Sequence, residues 1–478
     1  MFKNNTLLYR ILTGLLYNRS TRKYLVRYIQ KAATSSLDPG KKNRFSGTGK
    51  RIQHERKLMV LSIIESLKKS IEKGTVRPDV SQAVLRLWAS SLITPREKNK
   101  KLNAFREEMG FYPPFLLVIG PGHACNLKCG DCYAGSNPSG AKLPWKTLDR
   151  IITDARRLWD IKLVVFSGGE PFAYHSEGND MLDIVKKNPD CLFLSFTNGT
   201  LIDSKTAERL GECKNLTPAF SVEGMRDLTD ERRGKGVFNR VLESMDLMRD
   251  VGVPFGLSVT VNSQNCLDVL EDEFLDFFFN KQGAFYGFYF QYLPIGRDAD
   301  FHLMPSPTQR LEFRHRIWDV IGQKKLFLLD FWNHGPLVNG CISAGRDGGY
   351  LYIDWNGDVM PCVFAPYISG NIHELYKNGK TLNDLLKVPF LETVRKWQED
   401  YGFGKDDISK KGNLLMSCPY RDHNSLFMEW VKKYKLKTED GSTGDVISSE
   451  AYNKKMSDYD RELAELLDPV WEKEYLEE

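Results

Sequence analysis

The sequence predicts an α/β protein whose central sheet is parallel. From residue 112 onward, short apolar runs alternate with stretches of helical periodicity such as 145–158, 203–212 and 237–251. Strands that are separated by helices form βαβ units, and such units build parallel sheets. Six apolar runs qualify as strands, namely 115–120, 162–167, 191–196, 217–222, 253–261 and 284–293.

Composition places the chain among folded proteins of a reducing compartment. A length of 478 residues predicts about three domains. Hydrophobic residues make up 41% of the chain, which suffices for a sizeable core. Nine cysteines in a chain this long do not form the dense pattern of a secreted disulfide scaffold. We therefore expect a cytoplasmic protein, either free or peripheral on the inner face of the membrane.

Positive charge is concentrated at the start of the chain. Residues 1–60 contain 14 basic and 2 acidic residues, whereas the net charge of the whole chain is only +5. The first acidic residue is Asp38. A basic block of this kind attracts anionic partners.

Residues 1–37 are predicted to form basic amphipathic helices. Leu8, Ile11 and Leu15 recur at helical spacing, with Arg10 between them. The apolar run is too short to span a bilayer. Two interpretations remain, which are a helix lying on anionic lipid and a helix packing on the protein's own core. A mitochondrial transit peptide would also be basic, so this third interpretation stays open for a eukaryotic source.

The remaining boundaries follow from composition and periodicity. A linker rich in Pro, Gly, Lys and Arg is predicted at 38–57, and a helical hairpin at 58–110. The barrel core is expected at 111–300 and a smaller unit at 301–435. The segment 436–478 is predicted to be an acidic helical tail.

Three closely spaced cysteines are the main functional signal. Cys125, Cys129 and Cys132 follow the first predicted strand, and Tyr133 comes next. A [4Fe–4S] cluster normally takes one thiolate per iron, so three thiolates leave the fourth iron open to a small molecule. A zinc site, which normally needs four ligands in two-plus-two spacing, and three buried thiols are the alternatives. The Gly-Gly-Glu turn at 168–170, after the second strand, favours the cluster.

The cysteine run and the Gly-Gly-Glu turn together resemble the signature of the radical S-adenosylmethionine (radical SAM) superfamily. The resemblance covers the chain from about residue 112 to about residue 300. It implies a partial (β/α)6 TIM-like barrel with its chemistry at the carboxyl ends of the strands. It also implies a cluster that binds SAM and transfers an electron to it, which yields a 5′-deoxyadenosyl radical. No catalytic side chain is assigned beyond the cluster ligands.

The same resemblance implies which residues contact SAM. Gly168 and Gly169 let the backbone approach closely, and Glu170 accepts a hydrogen bond from the SAM ammonium group. Arg233 is expected to pair with the SAM carboxylate. Glu223 stands where relatives usually have Asp, so its role stays open. The other expected contacts, at strand ends or beside the cluster, are Tyr133, Asn198, Ser221, Asn262 and Leu293.

A second cysteine group lies beyond the predicted barrel. Cys341 is followed by fifteen residues, Gly357, four residues and Cys362, and Cys418 comes later. The segment 350–362 alternates like a strand, turns at Asn-Gly and returns, which predicts a β-hairpin. This pattern resembles the opening of the SPASM/twitch auxiliary-cluster domain of the same superfamily.

The small number of cysteines favours the twitch form of that domain. It implies one auxiliary [4Fe–4S] cluster bound by Cys341, Cys362 and Cys418. The fourth ligand is left open between a substrate atom, a polar side chain such as His423, and none. Such a cluster either binds substrate or passes electrons, and three structural cysteines without a cluster are the alternative.

The sequence therefore predicts a radical SAM enzyme that cleaves SAM reductively and abstracts hydrogen from a substrate carbon. The basic N-terminus favours a lipid or membrane-associated substrate, and peptide or protein maturation is the second candidate. A non-catalytic iron–sulfur carrier or scaffold is the alternative of another class. Expected partners are an electron donor such as ferredoxin or flavodoxin and an anionic membrane surface. Nucleic acid is disfavoured because the N-terminal aromatic residues follow helical spacing, as lipid contact requires.

Overall fold

A ten-stranded, mostly parallel sheet organises the protein. The computed structural model describes residues 6–35, 49–88, 99–439 and 444–477. The six predicted barrel strands are confirmed to within a few residues, and they pair in parallel in chain order. Their bounds are β1 Leu116–Ile119, β2 Leu163–Phe166, β3 Leu192–Thr197, β4 Leu216–Val222, β5 Gly256–Val261 and β6 Tyr286–Gln291.

Four later strands extend this sheet at both edges. Strand β7 (Leu328–Asp330) pairs in parallel with β6, and β8 (Tyr350–Ile353) pairs in parallel with β1. Strand β9 (Asp358–Met360) returns antiparallel to β8, which confirms the predicted hairpin, and β10 (Gly370–Asn371) pairs with β9. The boundary predicted at residue 300 therefore does not separate two sheets.

Helices follow most strands and flank the sheet. The three helices predicted between strands are confirmed at α6, α8 and α10 in the set that follows. The helices are α1 Thr6–Tyr17, α2 Arg19–Ser35, α3 Lys50–Lys73, α4 Pro78–Trp88, α5 Lys100–Met109, α6 Trp145–Trp159, α7 Met181–Lys187, α8 Ser204–Cys213, α9 Arg226–Arg233, α10 Val237–Asp250, α11 Asp272–Leu275, α12 Pro307–Lys324, α13 Ile372–Lys377, α14 Leu382–Leu386, α15 Pro389–Gln398, α16 Asn424–Tyr434, α17 Gly444–Ile447 and α18 Glu450–Trp471. Helices α11, α15 and α18 each continue into a π-helical turn.

Local sequence explains where several of these helices begin. Helix α12 starts with a capping box in which Ser306 and Gln309 bond each other's backbone, and Pro307 occupies the first helical position. Asp180 and Asp183 make the same reciprocal arrangement at α7. Each box satisfies two of the amide groups that a helix start leaves unpaired.

The two faces of the sheet bury different side chains. Leu117 and Val164 point outward into the helix layer and are fully buried. Their neighbours Val118 and Val165 point to the inner, concave face, where they join a separate cluster. On that concave face Phe196, Phe288 and Phe290 are only half-buried, so the inside of the barrel keeps accessible apolar surface. This concave face opens at the carboxyl ends of the strands.

The first two helices pack on the rest of the protein through one face. Leu16 of α1 and Val26 of α2 are buried against Ile71 of α3. The Tyr17 hydroxyl donates a hydrogen bond to the Val76 carbonyl at 2.6 Å. In the described ranges, no helix combines the length and the apolarity that crossing a membrane requires.

The linker predicted at 38–57 is wrong in its second half, because α3 begins at Lys50. The charged residues there suggested a solvated segment, but Ile52 and Glu55 are buried within the fold. The first half of the linker, 38–48, lies outside the described residues.

The C-terminal segment predicted as a tail is helical but packs against the body of the protein. Helix α18 lies on α12 and α16. Beyond it, the Tyr475 hydroxyl donates to the Glu55 carboxylate at 2.7 Å and accepts from the Arg314 guanidinium at 2.9 Å. Burial raises the pKa of Glu55, and the bond from Tyr475 opposes that rise. Trp471 stacks on Tyr475 with ring centroids 4.6 Å apart.

Replacing Trp471, which is 3% exposed, tests this packing. We expect Trp471→Ala to lower the free energy of unfolding by about 3–5 kcal/mol, because it removes a buried indole and leaves a cavity. Urea denaturation followed by circular dichroism measures the change. Leu476→Ala, at a 38% exposed position of the same segment, is the control and should have little effect. Equal midpoints for both variants would contradict a packed C-terminus.

Candidate functional site

The first cysteine group lies on the cysteine loop (residues 120–135), which follows β1 at the carboxyl edge of the sheet. Cys125, Cys129 and Cys132 are free thiols with partly exposed side chains. The three thiols lie within electrostatic range of one another. Burial raises the pKa of Cys125 to about 11. A bound metal would hold such thiols as thiolates, so the group has the donor chemistry of a cluster site.

Two glycines let neighbouring backbone pack directly on the cysteine loop. The Gly169 and Glu170 amides donate to the Gly122 and Ala124 carbonyls at 3.0 and 2.9 Å. A β-carbon at Gly169 would collide with the Ala124 carbonyl oxygen, so the approach excludes every other residue type. At Gly296 a β-carbon would collide with the Cys132 carbonyl oxygen, and the positive φ of +80° also favours glycine.

Arg297 fixes the cysteine loop from the end of β6. Its guanidinium donates to the Cys129 carbonyl at 2.8 Å and to the Gly135 carbonyl at 3.0 Å. Its backbone amide donates to the Cys132 carbonyl at 2.9 Å. The sequence indicates only that Arg297 ends the sixth strand, because carbonyl partners 160 residues away leave no local signal.

Glu170 joins the carboxyl ends of β2 and β3 beside Cys125. Its carboxylate is 2% exposed and accepts from the Thr197 hydroxyl and the Asn198 amide, both at 2.8 Å. Burial raises the pKa of Glu170 to about 7 despite these bonds. The Asn198 side chain in turn donates to the Cys125 sulfur at 3.7 Å. Both predicted residues therefore lie at the cysteine loop, and their contacts with SAM stay a prediction.

Glu223 anchors a cluster of buried charges at the end of β4. It accepts from the guanidinium groups of Arg232 at 2.6 Å and Arg233 at 2.8 Å. Arg232 also bonds to Asp131 of the cysteine loop, with both distances 3.1 Å. Burial alone would lower the pKa of Arg232, but Glu223 and Asp131 outweigh burial and raise it. Arg232 and Asp131 were not predicted, since a bond across 101 residues has no sequence signature.

Arg233 lies closer to the cysteines than its partner suggests. Its guanidinium acts electrostatically on the Cys129 thiol, whose pKa burial raises and Arg233 lowers. It pairs here with Glu223, so its predicted pairing with the SAM carboxylate stays a prediction. A glutamate in place of the usual aspartate reaches this arginine and the Thr260 amide together.

The other predicted SAM contacts also lie at carboxyl strand ends. The Tyr133 hydroxyl accepts from the Gly168 amide at 2.9 Å and shares a hydrogen bond with the Ser167 hydroxyl at 2.7 Å. Ser221 ends β4, and buried Leu293 follows β6. The Asn262 carboxamide accepts from amides of its own loop, so this side chain shapes the turn after β5.

The fold brings the three later cysteines together. Cys341, Cys362 and Cys418 lie within electrostatic range of one another, although 77 residues separate the outer two. Burial, followed by the neighbouring Cys341 thiol, raises the pKa of Cys362 to about 12. The described residues contain no group of three Cys, His, Asp or Glu side chains that could hold a metal ion. A cluster is a different case, because each thiolate binds its own iron and the sulfurs lie farther apart.

Buried cations surround this second cysteine group. The Arg346 guanidinium acts on the Cys341 thiol, and its Nε atom has no partner in the described structure. Asp422 accepts from Arg310 at 2.8 Å and from Arg421 at 2.7 Å, so two guanidinium groups share one carboxylate. Asp422 also accepts from the Cys418 amide. Buried cations of this kind fit a thiolate-bound, anionic cluster.

His423 does not turn toward the cysteines in any contact that it makes. Its Nε2 atom is 2.7 Å from the Met416 carbonyl oxygen. Its ring packs edge-on against Trp397 and Tyr401. This packing makes His423 a weak choice for a fourth ligand.

An aromatic cluster connects the two cysteine groups across the concave face. Tyr133, next to Cys132, lies 6.1 Å between ring centroids from Phe364, which is two residues after Cys362. Phe364 also packs on Phe290 at 5.8 Å and on Trp332 at 5.3 Å. The space between the two groups is therefore apolar and shielded from water.

A partial parallel barrel that carries three thiols at its carboxyl edge defines a class of iron–sulfur proteins that act on a small molecule at an open iron. The family model described as "Radical SAM superfamily" matches residues 119–272, a span that contains the cysteine loop and the Gly-Gly-Glu turn. The chain belongs to the radical SAM superfamily. This superfamily uses a [4Fe–4S] cluster and SAM, and its SPASM-type members carry auxiliary clusters. The zinc interpretation is thereby set aside.

Several curated proteins are similar over part of their length. The Fe-coproporphyrin III synthase of Methanosarcina barkeri is 31% identical over 156 residues, which cover 32% of this chain and 39% of that protein. An AdoMet-dependent heme synthase of the same organism is 25% identical over 293 residues, which cover 55% and 80%. The sporulation killing factor maturation protein SkfB of Bacillus subtilis is 26% identical over 280 residues, which cover 55% and 63%. The chain thus spans less than two thirds of the first and third of these relatives.

Solved structures confirm the predicted α/β partial barrel. SuiB of Streptococcus suis bound to precursor peptide SuiA aligns with a TM-score of 0.50 at 17% identity, over 81% of this chain and 83% of that chain. The sulfatase-type structure titled anSMEcpe with bound AdoMet aligns with a TM-score of 0.51 at 19% identity, over 76% and 96%. At these identities the likeness concerns the fold alone.

Removing the carboxylate of Asp422 tests the charge balance beside Cys418. We expect Asp422→Asn to lower the free energy of unfolding by about 3–5 kcal/mol, because it leaves two buried guanidinium groups without their shared partner. Iron bound at the second cysteine group should fall with it. Denaturation midpoints and iron counts measure both effects. Glu243→Gln, which removes an exposed ion pair with Arg240, is the control, and a similar small effect for both variants would contradict the assigned role.

Proposed function

We propose that the protein cleaves SAM reductively and removes a hydrogen atom from an unactivated carbon of its substrate. The observation that supports this most strongly is the cysteine loop, whose three thiols are fixed at the open end of the barrel by Gly169, Gly296 and Arg297. A bound [4Fe–4S] cluster supplies the electron that breaks a carbon–sulfur bond of SAM and yields the 5′-deoxyadenosyl radical.

The residues of the chain bind and orient in this proposal. Cys125, Cys129 and Cys132 hold the cluster, and the backbone at 168–169 leaves room for the amino acid part of SAM. The buried Glu170 carboxylate, beside Cys125, accepts from the SAM ammonium group. Arg233 supplies positive charge for the SAM carboxylate from its position near Cys129.

Cys341, Cys362 and Cys418 hold a second, auxiliary cluster in this proposal. Their convergence and the buried Arg346 and Arg421 support the twitch-like interpretation. The aromatic cluster between the two groups excludes water from the path between them. An electron donor such as ferredoxin or flavodoxin would serve either cluster.

The substrate we propose is a peptide with an apolar side chain. The names of similar proteins support a peptide, since SkfB is a maturation protein and SuiB was solved with a precursor peptide. The concave face supports an apolar group, because the half-buried Phe196, Phe288 and Phe290 line it. A hydrogen atom on such a side chain would be held near the cluster without competition from water.

A lipid or membrane-associated substrate is the second candidate, and the outer face of α2 favours it. Tyr24 and Tyr28 are each 72% exposed, and Lys23, Arg27 and Lys31 are exposed beside them. Exposed aromatic and basic side chains together suit the headgroup region of an anionic membrane. The opposite face packs on α3, so both interpretations of the N-terminus describe one side of the same helices.

The release of 5′-deoxyadenosine tests the proposed reaction. After anaerobic reconstitution and reduction by dithionite, the wild type is expected to release it, and Cys125→Ala/Cys129→Ala/Cys132→Ala is expected to release none, because the first cluster is lost. The triple variant should keep about four irons at the second group. Chromatography of the product and iron counts give both readings.

Cys191→Ala is the matched control, because Cys191 is a buried barrel cysteine outside both groups. It should match the wild type in both readings. No release from a wild type that holds both clusters, with peptide and membrane extract added, would favour the iron–sulfur carrier interpretation instead.

Vesicle binding tests the outer face of α2. We expect Lys23→Gln/Arg27→Gln to weaken binding to phosphatidylserine vesicles about 30-fold, because each basic residue near an anionic surface contributes about 1 kcal/mol. Vesicle sedimentation measures the affinity, and added salt should weaken the wild type too. Lys146→Gln/Lys205→Gln removes the same charge from exposed positions elsewhere and should bind like the wild type. Equal affinities for all three proteins would rule out membrane docking through this face.

A further inference from the structure

The Tyr350 hydroxyl lies among the three cysteines of the second group. Its oxygen is 2.8 Å from the Cys362 sulfur. The thiols of Cys341 and Cys418 also act on it electrostatically. Tyr350 is 3% exposed, so the hydroxyl has no access to bulk water and depends on its protein neighbours for a partner.

The backbone explains why this hydroxyl is held in place. Tyr350 begins β8, where its register partner on β1 is Leu116. Its amide donates to the Ile342 carbonyl at 2.8 Å, which ties the strand to the residue after Cys341. The strand position and this bond fix the ring on the concave face, beside the cysteine that ends the hairpin.

We propose that Tyr350 is a positioning residue that donates a hydrogen bond to the Cys362 thiolate and raises the reduction potential of the auxiliary cluster. This inference rests on the second cluster of the proposed function. A thiolate that ligates iron carries no proton, so in the loaded protein only the tyrosine can be the donor.

The expected direction follows from charge. A donated hydrogen bond withdraws electron density from the sulfur, and this stabilises the reduced cluster, which carries the extra electron. Hydrogen bonds to the sulfurs are among the factors that set iron–sulfur potentials. The Phe364 amide is the other donor close to the Cys362 sulfur, at 3.4 Å. Tyr350 therefore contributes the shorter of two donated bonds at this sulfur.

The test uses the Cys125→Ala/Cys129→Ala/Cys132→Ala background, in which the auxiliary cluster is the only cluster left. Tyr350→Phe is added to this background and compared with Tyr286→Phe. Tyr286 is a matched control, since its buried hydroxyl lies on the same concave face but bonds to Thr217. Iron counts and a redox titration followed by electron paramagnetic resonance are the readouts.

We expect Tyr350→Phe to keep its iron and to shift the midpoint potential to a more negative value, while Tyr286→Phe leaves the potential unchanged. Incorporation of 3-fluorotyrosine at position 350 makes the hydroxyl a stronger donor and should shift the potential in the opposite direction. This second variant keeps the test informative if the phenylalanine variant loses its cluster.

The outcomes separate this inference from the proposed function. An unchanged potential in Tyr350→Phe, or in the fluorotyrosine protein, would overturn the role of Tyr350 while the cluster itself stands. No iron in the triple-alanine background would overturn the auxiliary cluster, and the role of Tyr350 with it. Opposite shifts in the two variants would support the hydrogen bond.

Discussion

Close backbone contact between the cysteine loop and the neighbouring strand ends is the constraint on which the site depends. The loop must place three sulfur atoms within reach of one cluster while carrying few apolar side chains that could hold it by packing. Contact with Gly169 on one side and Gly296 on the other replaces that packing. Arg297 adds hydrogen bonds to carbonyl groups of the loop, which cannot be satisfied by water once they are covered.

Charge is arranged on the same principle at both cysteine groups. Arg232 and Arg233 are held by Glu223 near the first group, and Arg346 and Arg421 lie beside the second. Buried guanidinium groups are costly without anionic partners. Thiolates bound to iron offer that negative charge, so folding and loading of the clusters are coupled through these arginines.

Strand positions could be predicted from the sequence because the barrel strands are short apolar runs bounded by helices. The run 191–196 became β3 at Leu192–Thr197. Lys50–Lys73 was different, since its first turns carry mostly charged residues and its buried face shows only in three dimensions. The cysteines had a local spacing that could be recognised. Arg232, Arg297 and Tyr350 act through partners that are distant in the chain or carry no motif, so only the fold reveals them.

The pairing of β8 with β1 has a consequence for how the chain can be divided. Strand β1 has β2 on one side and β8 on the other, and β8 comes from beyond residue 300. A fragment that stops near residue 300 would leave the free edge of β1 lined with unpaired amide and carbonyl groups. Exposed strand edges of this kind recruit other chains. The barrel with its cysteine loop is therefore expected to aggregate when it is made without the segment that contains the hairpin.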